Sequence, residues 1–113
     1  MFPKTARILR SAEFRNIYDN GLRLPGPLFA AFLLQRPAEA GESGTRLGIT
    51  VPRAVGGSVD RNRIRRRIRE AFRKRGDKTG NWDVVLNPRR TVLKATCMEI
   101  ERALDKVMDR CKR

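Results

Sequence analysis

From Asp60 to Arg75 the sequence places nine basic residues against two acids in 16 positions, and eight of the nine are arginine. The apolar residues between them are spaced for a helix. At 100° per residue, Ile64, Ile68, Ala71 and Phe72 fall within an arc of about 100°, which is a core-facing stripe. The segment therefore predicts an amphipathic helix from about Ser58 to Arg75, entered through the Gly56-Gly57-Ser58 turn. The arc beside the stripe carries Arg65, Asn62, Arg69, Arg73 and Arg66, with no acid among them. Asp60 and Glu70 lie on the far flank with Arg63, Arg67 and Lys74.

Such a helix is poor for folding alone. Arg61, Arg65, Arg69 and Arg73 are successive i, i+4 like-charge pairs, each unfavourable by a few tenths of a kcal/mol. Arg61 also sits in the first turn, where the helix dipole disfavours cations. The stretch from Lys94 to Arg110 is the contrast: four acids and four bases alternate there, an ordinary solvated face. Two readings remain for the arginine helix, a merely soluble surface or a nucleic-acid surface. Phosphates reverse the sign of each penalty, and the planar arginine fork suits them better than lysine does, so the second reading is preferred.

Composition points the same way. Over 113 residues there are 26 Lys+Arg, 12 Asp+Glu and no His, a net charge of +14. The expected partner is a polyanion. Without His, the usual general base and the Ser/His and Cys/His nucleophile systems are missing. Cys97 and Cys111 form no CxxC, so a structural zinc site is excluded on ligand count. The longest apolar run, Leu28 to Leu34, suits a buried strand and is too short for a membrane span. Met1-Phe2-Pro3-Lys4 lacks a secretory apolar region, so the expected location is cytoplasmic.

The remaining elements follow from punctuation. Residues 1–10 read as an extended basic arm and 11–111 as one folded core. Ser11 is a candidate N-cap, Phe14, Ile17 and Tyr18 share a helix face, and Asn20-Gly21 ends that helix. Leu22–Leu24 and Leu28–Gln35 read as strands, 36–44 as a loop, and Arg46–Val51 as an alternating strand. After the arginine helix, Gly76–Asn81 reads as a loop and Trp82–Leu86 as a strand stopped by Pro88. A long helix is expected from Val92 to Cys111. Phe29, Phe72 and Trp82 are assigned to the core. The class is α+β: one sheet with helices packed on it.

The run from Arg61 to Arg73, Arg-Asn-Arg-Ile-Arg-Arg-Arg-Ile-Arg-Glu-Ala-Phe-Arg, resembles the signature of the bacterial ribonuclease P protein subunit. Leu47-Gly48-Ile49-Thr50-Val51, with Val55, Gly56 and Val59, is similar to that family's central strand and the turn after it. Ser11 to Gly21 resembles its first helix and Trp82 to Val85 its last strand. The likeness runs from about residue 4 to 108. Departures are Arg53-Ala54 for the usual two lysines, Gly56-Gly57-Ser58 for Gly-Asn-Ala, and Arg65 for lysine.

The resemblance implies an α/β sandwich in the order α-β-β-β-α-β-α with a left-handed βαβ crossover, against the usual hand. It implies an auxiliary subunit of an endonuclease that removes the 5′ leader from precursor tRNA, with a large RNA as the catalyst. Mg²⁺ would be held mainly by that RNA, and this chain would carry neither catalytic nor metal-ligating residues. Expected RNA-binding residues are Arg53, Arg61, Asn62, Arg63, Arg65, Arg66, Arg69 and Arg73. The partners are then the catalytic RNA and the leader, with neither DNA nor membrane. Phe14, Tyr18 and Phe32 match positions that line the leader cleft, where aromatic rings stack on single-stranded bases. Phe14 and Phe32 read equally as core, whereas the Tyr18 hydroxyl prefers a wet edge and favours the cleft. Two rival functions are a structural RNA binder, such as a small ribosomal protein, and a protein-only metal nuclease. The 61–73 signature disfavours the first, and scattered acids without His disfavour the second.

Overall fold

The computed structural model describes residues 11–35, 45–74 and 82–111. The expected basic arm 1–10, the loops 36–44 and 76–81, Arg75, and the side chains of Ser11 and Cys111 lie outside the described residues. In chain order the elements are α1 (Ser11–Asn20), β1 (Leu22–Leu24), β2 (Phe29–Gln35), β3 (Arg46–Ile49), α2 (Ser58–Lys74), β4 (Trp82–Pro88) and α3 (Cys97–Cys111). Short 3₁₀ turns precede α2 at Arg53–Val55 and α3 at Arg90–Leu93. The expected order α-β-β-β-α-β-α is observed.

The four strands form one sheet in the order β1-β2-β4-β3. β2 pairs antiparallel with β1 and with β4, whereas β3 and β4 are parallel neighbours joined through α2. That β3-α2-β4 unit is the one for which the resemblance implies a left-handed crossover.

Side-chain alternation sorts the central strands into two faces. One face carries Ala31, Leu33, Val84 and Leu86 and packs with Ile64, Ile68 and Phe72 of α2 and Ile100 and Leu104 of α3. The other carries Phe32, Leu34 and Val85 and packs with Ile17 of α1. Phe72 is fully buried, which alone stabilises by about 1.5–3 kcal/mol. Phe29 is buried and Trp82 packs partly buried against the same core, as expected. Gly21 makes the α1–β1 corner: its N–H donates to Ile17 O at 2.8 Å. A Cβ there would overlap that carbonyl and stand 2.9 Å from Leu33 O.

Three boundaries differ from expectation. β3 ends at Ile49 rather than Val51, although Thr50 N–H still donates to Leu86 O at 3.0 Å. Pro52 has no N–H to extend the ladder. β4 runs on through Asn87 to Pro88, opposite Ala30 and Phe29. Arg89 N–H donates to Leu28 O at 2.8 Å, so the nitrogen of Pro88 points to the opposite side, where β3 has already ended. No lost donor stops the strand there.

The long helix expected from Val92 is two pieces. Its first turn is the 3₁₀ segment, and α3 starts only at Cys97. Thr96 and Glu99 form a reciprocal capping box: Glu99 N–H donates to Thr96 Oγ1 and Thr96 N–H to Glu99 Oε1, each at 3.1 Å. Among the described residues, no helix is long and apolar enough to cross a membrane.

Candidate nucleic-acid interface

The stripe Ile64, Ile68, Ala71 and Phe72 is buried, which fixes the rotation of α2 on the sheet. Asn62, Arg63, Arg66 and Arg73 are consequently exposed, while Arg61, Arg65 and Arg69 stand half-buried along its flanks. Arg53 is exposed on the 3₁₀ turn leading into the helix. All eight sequence-predicted RNA-binding residues therefore lie on α2 or on the segment that leads into it.

Their surroundings differ. Arg65 donates from Nη1 to Asn62 Oδ1 at 3.2 Å, so this asparagine orients an arginine of the cationic arc. Arg73 reaches across to Glu70 Oε1, on the neighbouring flank, at 3.7 Å. Side chains three apart on a helix are neighbours, and both are long enough to meet. The Nε of Arg61 is enclosed without an acceptor among the described residues.

Two further arginines are structural braces. Arg67 donates from Nη1 to Leu93 O at 2.9 Å and from Nη2 to Ala95 O. It thereby satisfies carbonyls at the break before α3. Arg90 donates from Nη1 to Val55 O at 3.0 Å and lies 3.3 Å from Asp60 Oδ2. A Cβ on Gly56 would stand 2.8 Å from that Nη1, so the bare backbone makes room for it.

The opposite face of the sheet holds the aromatic group. Tyr18 and Phe32 meet edge to face, with centroids 4.8 Å apart and planes at 83°. Phe14, Tyr18 and Phe32 are all partly buried against Ile17 and Val85. Phe14 and Tyr18 line an open groove of about 490 Å³ together with Arg15, Asp19 and Thr50. Phe32 does not line it but backs the Tyr18 ring. Phe14 and Tyr18 are thus part core and part groove wall, whereas Phe32 packs behind them. A larger cavity, about 560 Å³, lies between the Leu24–Phe29 segment and α3 and contains none of the expected residues.

Sequence reasoning missed the groups that hold this face together. Arg46 forks onto Asp83 (Nε to Oδ1 and Nη2 to Oδ2, both 2.8 Å) and also reaches Glu13 Oε2 at 2.7 Å. It joins β3, β4 and α1 at one point. The hydrogen bonding of Arg46 to Asp83 raises the Arg46 pKa, opposed by partial burial and supported by the charges of Asp83 and Glu13. Tyr18 Oη lies 2.8 Å from Asn87 Oδ1 and 3.3 Å from Thr50 Oγ1. The one signal for Asn87 was a polar residue following the apolar run Val84-Val85-Leu86. Among the described residues, no three His, Cys, Asp or Glu side chains converge to hold a metal ion.

The sequence and the fold are both similar to those of known proteins. The sequence matches the family model described as Ribonuclease P over residues 2–112. The ribonuclease P protein component of Desulfosudis oleivorans is 34% identical over 113 residues, covering 99% of this chain and 90% of that protein. That of Desulforapulum autotrophicum is 36% identical, covering 94% and 88%. Among solved structures, the Staphylococcus aureus RNase P protein superposes with a TM-score of 0.77 at 28% identity, covering 92% of this chain and 93% of that one. The Thermotoga maritima RNase P protein gives 0.76 at 25% identity, covering 92% and 96%. With the motif, the strand order and full-length likeness in agreement, the chain belongs to the ribonuclease P protein family.

Proposed function

We propose that this chain is the cytoplasmic protein subunit that works with the catalytic RNA of ribonuclease P to remove the 5′ leader of precursor tRNA. The observation that carries this is that the arginine-rich helix α2 and the groove lined by Phe14 and Tyr18 lie on opposite faces of one sheet. The arginines of α2 and Arg53 grip phosphates of the catalytic RNA, releasing its counterions on assembly. The groove beside α1 receives the single-stranded leader, with Phe14 and Tyr18 offering faces for bases and Phe32 supporting the Tyr18 ring. Arg15, on the rim of the groove, supplies charge toward the leader backbone.

Mg²⁺ supplies the Lewis-acid chemistry of hydrolysis from sites in the RNA. Three carboxylates on α2 and β4 are engaged by arginines: Asp60 by Arg90, Glu70 by Arg73, and Asp83 by Arg46. Those pairings do not make a metal site, and the protein contributes by binding and orienting substrate.

The test is cleavage of precursor tRNA in Mg²⁺ by purified protein alone, by the catalytic RNA alone and by both. The expected result is no cleavage by the protein and stimulation of the RNA at low salt and low Mg²⁺. Cleavage by protein alone would support a metal nuclease, and failure to stimulate would leave a structural RNA binder.

A further inference from the structure

The cavity of about 560 Å³ beside α3 is a groove with an aliphatic floor, formed by the half-buried Leu24, Leu28 and Ala103 and the buried Val107. The wall facing α3 is poor in backbone groups that a strand could pair with. Pro25 and Pro27 have no N–H. The carbonyls of Gly26, Pro27 and Leu28 already accept from Arg89 Nε at 3.1 Å, Thr91 Oγ1 at 2.9 Å and Arg89 N–H at 2.8 Å. An occupant must therefore satisfy its own backbone groups, which a helix does.

Charge selects further. The acids and bases that mix along α3 are sorted at this rim: Arg102, Lys106 and Arg110 stand one turn apart along it, while Glu101 and Asp105 do not line it. Of the two acids that do, Glu99 accepts from Thr96 N–H through Oε1, which leaves Asp109. None of the three bases has an ion-pair partner among the described residues. Like charges at i, i+4 are unfavourable until an acidic partner lies along them. A second copy brings the same cations and the same net charge of +14, so it is repelled. A single strand of RNA finds no exposed ring to stack on, because Phe29, the one aromatic residue lining the groove, is only 4% exposed.

We infer that this groove docks an acidic amphipathic helix of another protein, its apolar stripe on the aliphatic floor and its carboxylates along Arg102, Lys106 and Arg110. The groove shares no lining residue with the arginine arc of α2 or with the groove beside α1, so it adds a third surface to the molecule.

The probe is a synthetic glutamate-rich peptide of about four helical turns, with leucines at helical spacing along one face, offered to the full chain. A peptide of the same composition with its leucines spread around the helix controls for charge alone, and a uridine oligonucleotide for nucleic acid. Binding is read by fluorescence anisotropy and by NMR shifts of backbone amides. The striped peptide should bind at least about tenfold more tightly than the rearranged one, with the largest shifts at Leu28, Ala103 and Val107. Ala103→Glu puts a carboxylate on the floor and should weaken binding by at least about tenfold. Lys106→Glu, on the exposed rim where the core is untouched, should weaken it about two- to fivefold. Lys94→Glu, the same charge reversal outside the groove, should change nothing. Equal affinity for the two peptides, largest shifts on α2, or binding unmoved by both groove substitutions in folded protein overturns the inference. Shifts of the same three residues caused by the oligonucleotide, or by raising the protein concentration alone, overturn it too and assign the groove to RNA or to a second copy.

Discussion

At the Arg46 guanidinium, carboxylates from two other elements converge, and the arithmetic of a buried pair decides what each is worth. Asp83 is only 4% exposed, so removing it would strand a half-buried cation. Breaking a buried pair typically costs about 3–5 kcal/mol, less where water reaches one partner, as at Arg46. Asp83→Ala should therefore destabilise by about 2–4 kcal/mol, measured as a lower urea midpoint at unchanged slope. Glu13→Ala, at the more exposed end, should cost under about 1 kcal/mol. Because the pKa of Arg46 is raised, its share of this stability is complete below the unfolded value and lost only in strong alkali. Adjacent arginines on α2 offer a second comparison. Arg67 is held by two backbone carbonyls, so Arg67→Ala should cost about 1.5–3 kcal/mol in stability. Arg66 is exposed, so Arg66→Ala should leave the melting temperature alone and flatten the salt dependence of RNA binding by up to about one unit of log K per log salt. Equal effects of the two substitutions on binding and on stability would sink the division of labour.

At the scale of elements, the start of α3 is set by Thr96. Thr96→Ala should destabilise by about 1 kcal/mol, whereas Glu99→Gln should cost little because glutamine also serves in a capping box. Thermal unfolding of both variants checks this. The signal was present in the sequence as Thr96-Cys97-Met98-Glu99, but the apolar period from Val92 concealed it, since a 3₁₀ turn and an α-helix both bury residues on one side. α2 was legible almost to the residue because its stripe and its charges agree on one rotation. The end of β4 was not, because whether Pro88 breaks a strand depends on which neighbour its nitrogen faces. The partners of Arg46, Arg67 and Tyr18 were likewise hidden. Tyr18 and Asn87 are 69 residues apart, and only the sheet order brings them together. The sequence marked which side chains were cationic or aromatic, and the fold decided which of them were left free.

At the scale of the molecule, the proposed function has the sheet separate assembly from substrate binding, and that separation can be measured. Arg66 lies on the helix over one face and Tyr18 on the helix over the other, without a shared hydrogen-bond partner among the described residues. Base stacking is worth about 1–3 kcal/mol per base, so Tyr18→Ala should weaken precursor tRNA binding by roughly 5- to 150-fold. Mature tRNA has no leader and should bind the same holoenzyme as before. Catalytic RNA should still assemble with the Tyr18→Ala protein, because α2 is untouched. Circular dichroism and melting are needed as controls, since Tyr18 also packs on Phe32 and bonds Asn87. Combining Arg66→Ala with Tyr18→Ala sharpens the test. Sites without common contacts add to within about 0.5 kcal/mol, so the double variant should show the product of the two single effects within about threefold. A large departure from that product would mean that the two faces communicate through the sheet. A folded Tyr18→Ala protein with an unchanged ratio of precursor to mature affinity would remove the leader from the groove altogether.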